Sequence, residues 1–385
     1  MTWPQVTLSE VAEVERRSVN PADLPPDTRY LGLEHIERGG RILSHDTVAK
    51  AGLTSNKFIF APDHVLFGKL RPNLGKVARP AFDGVCSTDI LPIKPGRSLD
   101  RNYLTHYLRQ PAIIRYAASR ASGANLPRLS PTALGSFTIP LPPLAEQQRI
   151  AAILDHADTL RTKRHQQLTH LDTLPQALFH HMFGDPDAAS STIELGEIAT
   201  LSGGRNLVAG DPTLDSPFRV LKISAVTSGQ FKPEESKPLP ADYEPPPEHL
   251  VQVGDLLMSR ANTTELVGAV ALATSTPPNL ALPDKVWRFN WKTEADPVFY
   301  HALLSTPTIR RRISRLASGT GGSMKNVSKA KLLKMPIPVA SITLQRKFVK
   351  QAQQVSQHSE ILRQANLAGD RLFTSIQSQA FKGEI

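Results

Sequence analysis

The chain says nearly the same thing twice. Val6-Thr-Leu-Ser-Glu-Val-Ala-Glu-Val14 is echoed by Ile193-Glu-Leu-Gly-Glu-Ile-Ala-Thr-Leu201 at an offset of 187. Leu31-Gly-Leu33 with Ile36 returns as Leu221-Lys-Ile223 with Val226 at 190, and Val65-Leu-Phe-Gly-Lys69 returns as Leu256-Leu-Met-Ser-Arg260 at 191. From Ser130 to Phe183 the offset holds at 198 without a gap, pairing Gln147 with Gln345 and Phe183 with Phe381. An offset that grows while block order is kept is what duplication followed by loop insertion leaves behind. It predicts a pseudo-two-fold body, suited to a target that itself has two parts.

Each copy changes texture partway. Up to about residue 140, short β-like runs (Tyr30-Leu31, Val65 to Phe67, Ile90 to Ile93, Phe137 to Ile139) alternate with Gly and Pro punctuation, with one helix expected near Tyr103 to Ala118. This is an α+β globule. Pro140-Leu-Pro-Pro143 ends it, and a Gly-free stretch with helical spacing runs from Leu144 to about Met182. In a heptad frame its a positions are Ile150, Ala157, Arg164, Leu171 and Leu178, and its d positions Ile153, Leu160, Gln167, Leu174 and His181. The second copy offers Leu344, Phe348, Val355, Leu362, Ala365, Leu372 and Ile376 in the matching frame. Two helices of about 55–60 Å, each unable to hide its stripe alone, are expected to pack as an antiparallel coiled coil. Two ordinary helices on their own globules are the plainer alternative. Pro175 should kink or end the first helix near its last turn. The expected organisation is a globule at 1–140, a helix at 141–184, a second globule at 185–338 and a second helix at 339–385. The polar run from Gly184 to Ser191 forms the link between copies.

The formal charge of +10 favours a polyanionic partner, and its placement says more than its size. Between Arg101 and Ala145 there are five basic residues and no acid; between Val298 and Ser359 there are eleven, again with no acid. A solvated face mixes both signs, so an acid-free stretch at the same place in both copies points to nucleic acid. The single cysteine, Cys86, excludes an internal disulfide and agrees with a reducing compartment. With no signal-like segment and no apolar run of membrane-spanning length, the expected location is the cytoplasm, away from any membrane.

No catalytic constellation is legible. Ser318-Gly-Thr-Gly-Gly-Ser323 lacks the spacing of a phosphate loop, no amino-group-gripping Asn-Pro-Pro-aromatic motif occurs, and the histidines lack metal-ligand spacing. What recurs is a set of polar loops. Gly68-Lys-Leu-Arg-Pro-Asn-Leu-Gly-Lys76 follows a strand in the first copy and Ser259-Arg-Ala-Asn-Thr-Thr264 the matching strand in the second, with Lys69 and Arg260 in equivalent places. Ser202-Gly-Gly-Arg205 and Arg120-Ala-Ser-Gly-Ala-Asn125 read as flexible, donor-rich turns able to approach a phosphate or base edge. The candidate DNA-binding residues are Lys69, Arg71, Lys76, Arg120 and Arg128, then Arg205, Arg260, Arg288 and Lys325. No catalytic or metal-ligating residue is assigned.

Two β-rich globules, each followed by a Pro-bounded helix, resemble the specificity subunit of type I restriction-modification systems. The strings that carry the resemblance are Leu141-Pro-Pro-Leu-Ala-Glu-Gln-Gln-Arg-Ile-Ala-Ala-Ile-Leu154, Lys69-Leu-Arg-Pro-Asn-Leu-Gly-Lys-Val-Ala78, Ser202-Gly-Gly204, Gly254-Asp-Leu-Leu-Met-Ser-Arg260 and Gln379-Ala-Phe-Lys-Gly-Glu-Ile385. The resemblance implies that each globule is a target-recognition domain reading one half of a split double-stranded DNA sequence. It implies a non-catalytic chain with no cofactor of its own, S-adenosylmethionine and ATP being expected on partner subunits only. The helix pair would be a spacer and a docking post for two methyltransferase subunits, through Ile150, Leu154, Leu160, Leu171, Phe348, Val355, Leu362 and Leu372, in a complex that can include translocating endonuclease subunits. The second helix departs at its entry, where Pro338-Val-Ala-Ser-Ile-Thr-Leu-Gln-Arg346 lacks the Pro-Pro and Glu of the first. A protein-binding scaffold and a free-standing DNA-modifying enzyme are the rival readings, separable by salt-sensitive DNA affinity and by turnover of the isolated chain.

Overall fold

The computed structural model describes residues 3–206, 216–319 and 324–384, so most of the glycine run at 319–323 lies outside the described residues. It divides into two compact units, Met1–Gln166 with Arg363–Ile385, and Gln167–Leu362. The repeat in sequence is a repeat of architecture. In the first unit a four-stranded antiparallel sheet has the order Ala12–Val14, Ile90–Pro95, Val65–Gly68, Val77–Ala78. The second unit builds the same order from Ala199–Gly203, Val286–Trp291, Leu256–Ser259 and Val270–Leu272. Each unit also ties the start of its globule to the end, Gln5–Thr7 on Thr138–Pro140 and Thr192–Glu194 on Pro336–Pro338. Val65, Leu66 and Phe67, and likewise Leu256, Leu257 and Met258, are buried as continuous apolar runs because both faces of these central strands are covered.

The helix expected over Tyr103 to Ala118 is two helices, Arg101–Leu108 and Pro111–Ser119. Pro111 has no N–H to continue the first and its fixed φ suits the opening position of the second. The other copy breaks in the same way at Pro307, between Pro297–Ser305 and Pro307–Leu316. Pro175, in contrast, neither ends its helix nor marks its boundary: Leu144–Phe183 runs through it. The last two turns are held by Phe179 and Phe183, whose rings pack on Phe299 and Phe348 with centroids 5.0–5.9 Å apart, and this packing outweighs the one backbone bond proline forfeits.

The division between units falls inside both long helices, Leu144–Phe183 and Ile342–Ala380. Each unit therefore holds the opening of one and the close of the other. In the first unit Ile150, Ala151 and Leu154 share a core with Ala380 and Phe381, while Arg161 pairs with Asp370 at 3.1 Å and lies over the Phe373 ring, so the two segments run antiparallel. The seam differs from the expected one. The a line is inward except at the exposed Arg164, but the d positions Ile153, Leu160, Leu174 and Leu372 are 37–61% exposed, and the buried partner line is e, clearest at Ala352, Ser359, Asn366 and Ala380. Small side chains along e let the helices and globules approach closely, which a hydrophobicity count over a and d does not register.

The first long helix is also bolted to its globule by ions. Asp155 accepts from Arg79 through two bonds, 2.6 and 3.1 Å, and lies 2.9 Å from Nε2 of the buried His106. Burial alone would raise the Asp155 carboxyl, yet His106 and Arg79 hold it far below the ordinary carboxylate range. Burial depresses His106, outweighing the pull of Asp155, and pushes Arg109 down to about 10 beside Asp158. Among the described residues no helix is long and apolar enough to cross a membrane.

Candidate nucleic-acid interface

In both units the strand that carries the repeated cation leads into a loop laced to a second loop by the same bonds. In the first, Lys69 N–H donates to Asp89 O (2.9 Å), Lys69 O accepts from Leu129 N (3.0 Å), and Leu70 bridges Arg128. In the second, Arg260 N–H donates to Lys285 O (3.0 Å), Arg260 O accepts from Val327 N (2.9 Å), and Ala261 pairs with Asn326. The residues two beyond the cation, Arg71 and Asn262, therefore occupy one structural position, as do Arg128 and Asn326.

Arg71 is the one non-glycine among the described residues with a left-handed backbone, φ 49°, ψ 61°. Its N–H is fixed to Pro127 O at 2.8 Å and Pro72 follows it, so the strain is imposed by the lacing while the side chain stays exposed. Strain of this kind collects where a side chain must be aimed. Lys69 is half-buried with no ion pair among the described residues, and Arg120 is exposed with its guanidinium 5.2 Å from the Tyr116 ring. Arg128 is paired with Asp89 at 2.9 Å, a bond that raises its pKa. In the second unit Arg205 is exposed, Arg260 pairs with Asp284 at 3.4 Å over Trp287, and Lys325 donates to Gly319 O at 2.8 Å.

Two candidates serve the fold. Arg288 is mostly buried, its guanidinium 2.8 Å from Asp255 and bonded to the carbonyls of Glu248 and Leu250. Lys76 holds Leu33 O at 2.7 Å. Nor is the Ser202-Gly-Gly turn open to a ligand: Gly204 donates to Pro283 O, and a Cβ there would lie 1.7 Å from Leu282 O. These glycines let two backbones touch. Asn262 and Asn326 stand at the matching positions, where a search for cations in loops does not reach them, whereas Lys329, whose Nζ bonds Leu201 O beside Trp287, serves the fold as Lys76 does. The constant offset of 198 already matched Asn326 to Arg128 and could have found it.

Of the proposed docking residues, Ile150, Leu154 and Phe348 lie at 0–1% exposure in the cores of their own units. Leu171, Val355 and Leu362 are half-buried along a groove of the second unit, while Leu160 (43%) and Leu372 (61%) face outward.

Residues 1–170 match the family model described as Type I restriction modification DNA specificity domain. The chain is 26% identical over 242 residues to the type I restriction enzyme EcoDI specificity subunit of Escherichia coli, covering 61% of this chain and 51% of that one. It is 24% identical over 318 residues to the EcoKI specificity subunit of Escherichia coli strain K12, covering 76% and 67%. The chain thus spans about half the length of the first of these relatives. Among solved structures, a chain described for complex assembly and conformational transition of the type I R-M system superposes with a TM-score of 0.63 at 20% identity, covering 100% and 98%. The type I restriction-modification S subunit from M. genitalium gives 0.56 at 14%, covering 99% and 96%. At these identities the structural likeness speaks to the fold.

Proposed function

We propose, from the premise that this chain belongs to the type I restriction-modification specificity subunits, that each unit reads one half of a bipartite asymmetric duplex-DNA target. The chain acts without catalysis of its own, and it would present two methyltransferase subunits to that target. The observation that carries this reading is the matched pair of laced loops, bearing Lys69 and Arg71 in one unit and Arg260 and Asn262 in the other on identical backbone hydrogen bonds. Like positions with unlike side chains are what a duplicated reader of two different half-sites requires. Arginine suits the acceptor edge of guanine and asparagine the mixed edge of adenine, while either grips phosphate.

Basic side chains would hold the phosphates and a few loop side chains would enter the major groove. The complex reconstituted with its methyltransferase subunits should bind its target with a log–log salt slope of about −0.9 per phosphate neutralised. Exchanging residues 1–140 for the equivalent globule of a relative should alter one half of the methylated sequence and spare the other. Salt-independent binding, or a folded chimaera that alters both halves, contradicts the reading.

A further inference from the structure

The duplication provides an internal control for every surface of the second unit, and one cleft fails it. Tyr30 and Val220 are matching strand residues, and each faces a partner across an antiparallel pair, Asp46 in the first unit and Lys237 in the second. Gly32 and Lys222 match by the offset of 190. Asp89 and Lys285 match because their carbonyls accept from Lys69 N–H and Arg260 N–H. The first unit uses this place for itself. His35 is buried there, accepting from Gly32 N–H at 2.9 Å through Nδ1 with its Nε2 3.3 Å from Asp46, while Asp89 holds Arg128.

In the second unit that ring is gone. Ala225 stands in place of His35, each donating its N–H to the carbonyl three residues before, Lys222 O and Gly32 O. What remains is a cleft of about 200 Å³ whose lining includes Lys222, Lys237, Lys285 and Asn206. Two acids stand near these lysines and both are engaged: Glu235 lies 3.9 Å from Lys222, and Asp284, in the lining, pairs with Arg260 at 3.4 Å. The side chains of Lys237 and Lys285 make no ion pair or hydrogen bond among the described residues. The strand pairings are the same with Asp46 and Asp89 in their places, so the fold does not need these cations.

We infer that this cleft seats a phosphate group, for which the first unit, with Asp46 and Asp89 at the matching places, has no seat. Unpaired ammonium groups lining one cleft repel each other until an anion arrives, and a phosphate offers oxygens to donors on several sides. The wall Pro283 to Lys285 includes the carbonyl that holds the backbone of Arg260, so the seat adjoins the laced loop. A duplex backbone and a free phosphorylated ligand present the same group. In taking the duplex as its source the inference rests on the DNA reading proposed above; the seat itself does not.

The probe is pyridoxal 5′-phosphate on the full-length protein, its aldehyde condensing with a lysine amine to an imine that borohydride reduces to a stable amine. It should label Lys222, Lys237 or Lys285 ahead of the other lysines, and pyridoxal, which lacks the phosphate, should show no such preference. Inorganic phosphate should protect the three. A short duplex that protects at lower phosphate concentration assigns the seat to nucleic acid. Protection by inorganic phosphate and not by duplex assigns it to a free phosphorylated ligand, and leaves the DNA reading to its own salt test. Lys237→Asp should abolish the preference at Lys222 and Lys285 with the thermal midpoint unchanged, and Lys285→Gln should weaken it at Lys222 and Lys237. Where the duplex protects, Lys237→Asp should also lower its log–log salt slope by about one. Lys331→Asp, the same charge change outside the cleft, should spare the labelling. An equal preference shown by pyridoxal, no protection by inorganic phosphate, a Lys237→Asp chain labelled like the parent, or protection by polyglutamate at lower carboxylate concentration than phosphate would each overturn it, the last in favour of an acidic polypeptide.

Discussion

Gln147 accepts a hydrogen bond from the backbone N–H of Asp100 at 2.8 Å, and so ties the opening of the first long helix to the start of the helix Arg101–Leu108. Its amide nitrogen donates to Pro142 O and Ser98 O, and the residue is fully buried. Gln345 does the same in the second copy, accepting from Asp296 N–H at 3.1 Å and donating to Ala340 O at 2.9 Å. A side chain with both a donor and an acceptor is needed, which explains why an amide stands at a position otherwise surrounded by apolar core.

Gln147→Leu leaves an N–H and two carbonyls buried without partners, each orphan costing about 1–3 kcal/mol. In urea titrations the first unit should unfold at clearly lower denaturant while the second keeps its midpoint, and Gln345→Leu should reverse the pattern. Equal loss in both units from either variant would show that the glutamines do not act locally.

Acid should weaken the two units unequally. His106 has its folded pKa depressed by burial, so its contribution is complete above about pH 6.5 and is lost as pH falls toward the folded value. Asp155 is also depressed, through His106 and Arg79 against the opposing effect of burial, so its contribution is complete above about pH 3.9 and fades below that. The matching positions in the second copy are Ala302 and Gln353, which do not titrate, but burial also depresses the neighbouring His301, so the upper stage is common to both units and the lower one sets the first unit apart. The thermal midpoint of the first unit should fall in two stages on acidification, and Asp155→Asn should abolish the lower one.

Arg71 and Arg288 separate recognition from folding. Arg71→Gly removes the left-handed strain and should raise stability by about 1 kcal/mol while lowering affinity for DNA. Arg288→Ala leaves Asp255 and two carbonyls without their partner, so it should destabilise the second unit without altering the salt slope of whatever complex still forms. A loss of stability in Arg71→Gly, or a reduced slope in Arg288→Ala, would exchange their roles.

The repeat was legible because strand order, the buried glutamines and the closing phenylalanines all survive duplication as spacing. Phe381 packs on Tyr103 at 4.9 Å as Phe183 packs on Phe299 at 5.0 Å, and the offset of 198 already paired the two phenylalanines. What spacing does not carry is how a charge is used. Arg128 and Arg288 look alike in sequence to Arg71, but Asp89 and Asp255, 39 and 33 residues away, engage the first two. The seam departs from the a and d positions for a related reason: Ala352, Ser359 and Asn366 are inward because small residues admit close approach, whereas the more hydrophobic Leu160 and Leu372 face out.

Asn366 is the odd member of that seam. It is 5% exposed, and neither its amide oxygen nor its nitrogen meets a partner among the described residues. A buried amide left so costs about 1–3 kcal/mol, and a polar residue at one position of a helical seam is a known device for fixing register at the expense of stability. Asn366→Leu should therefore raise the thermal midpoint. It should also relax the pairing, so that native mass spectrometry finds a dimer in which the long helices are exchanged between chains, a species absent from the parent. Ala in the same place should remove the orphaned amide without adding apolar surface, giving the stability gain with less of the dimer. If Asn366→Leu instead lowers the midpoint, the amide is making bonds in solution and the seam is held by polar contact at that level.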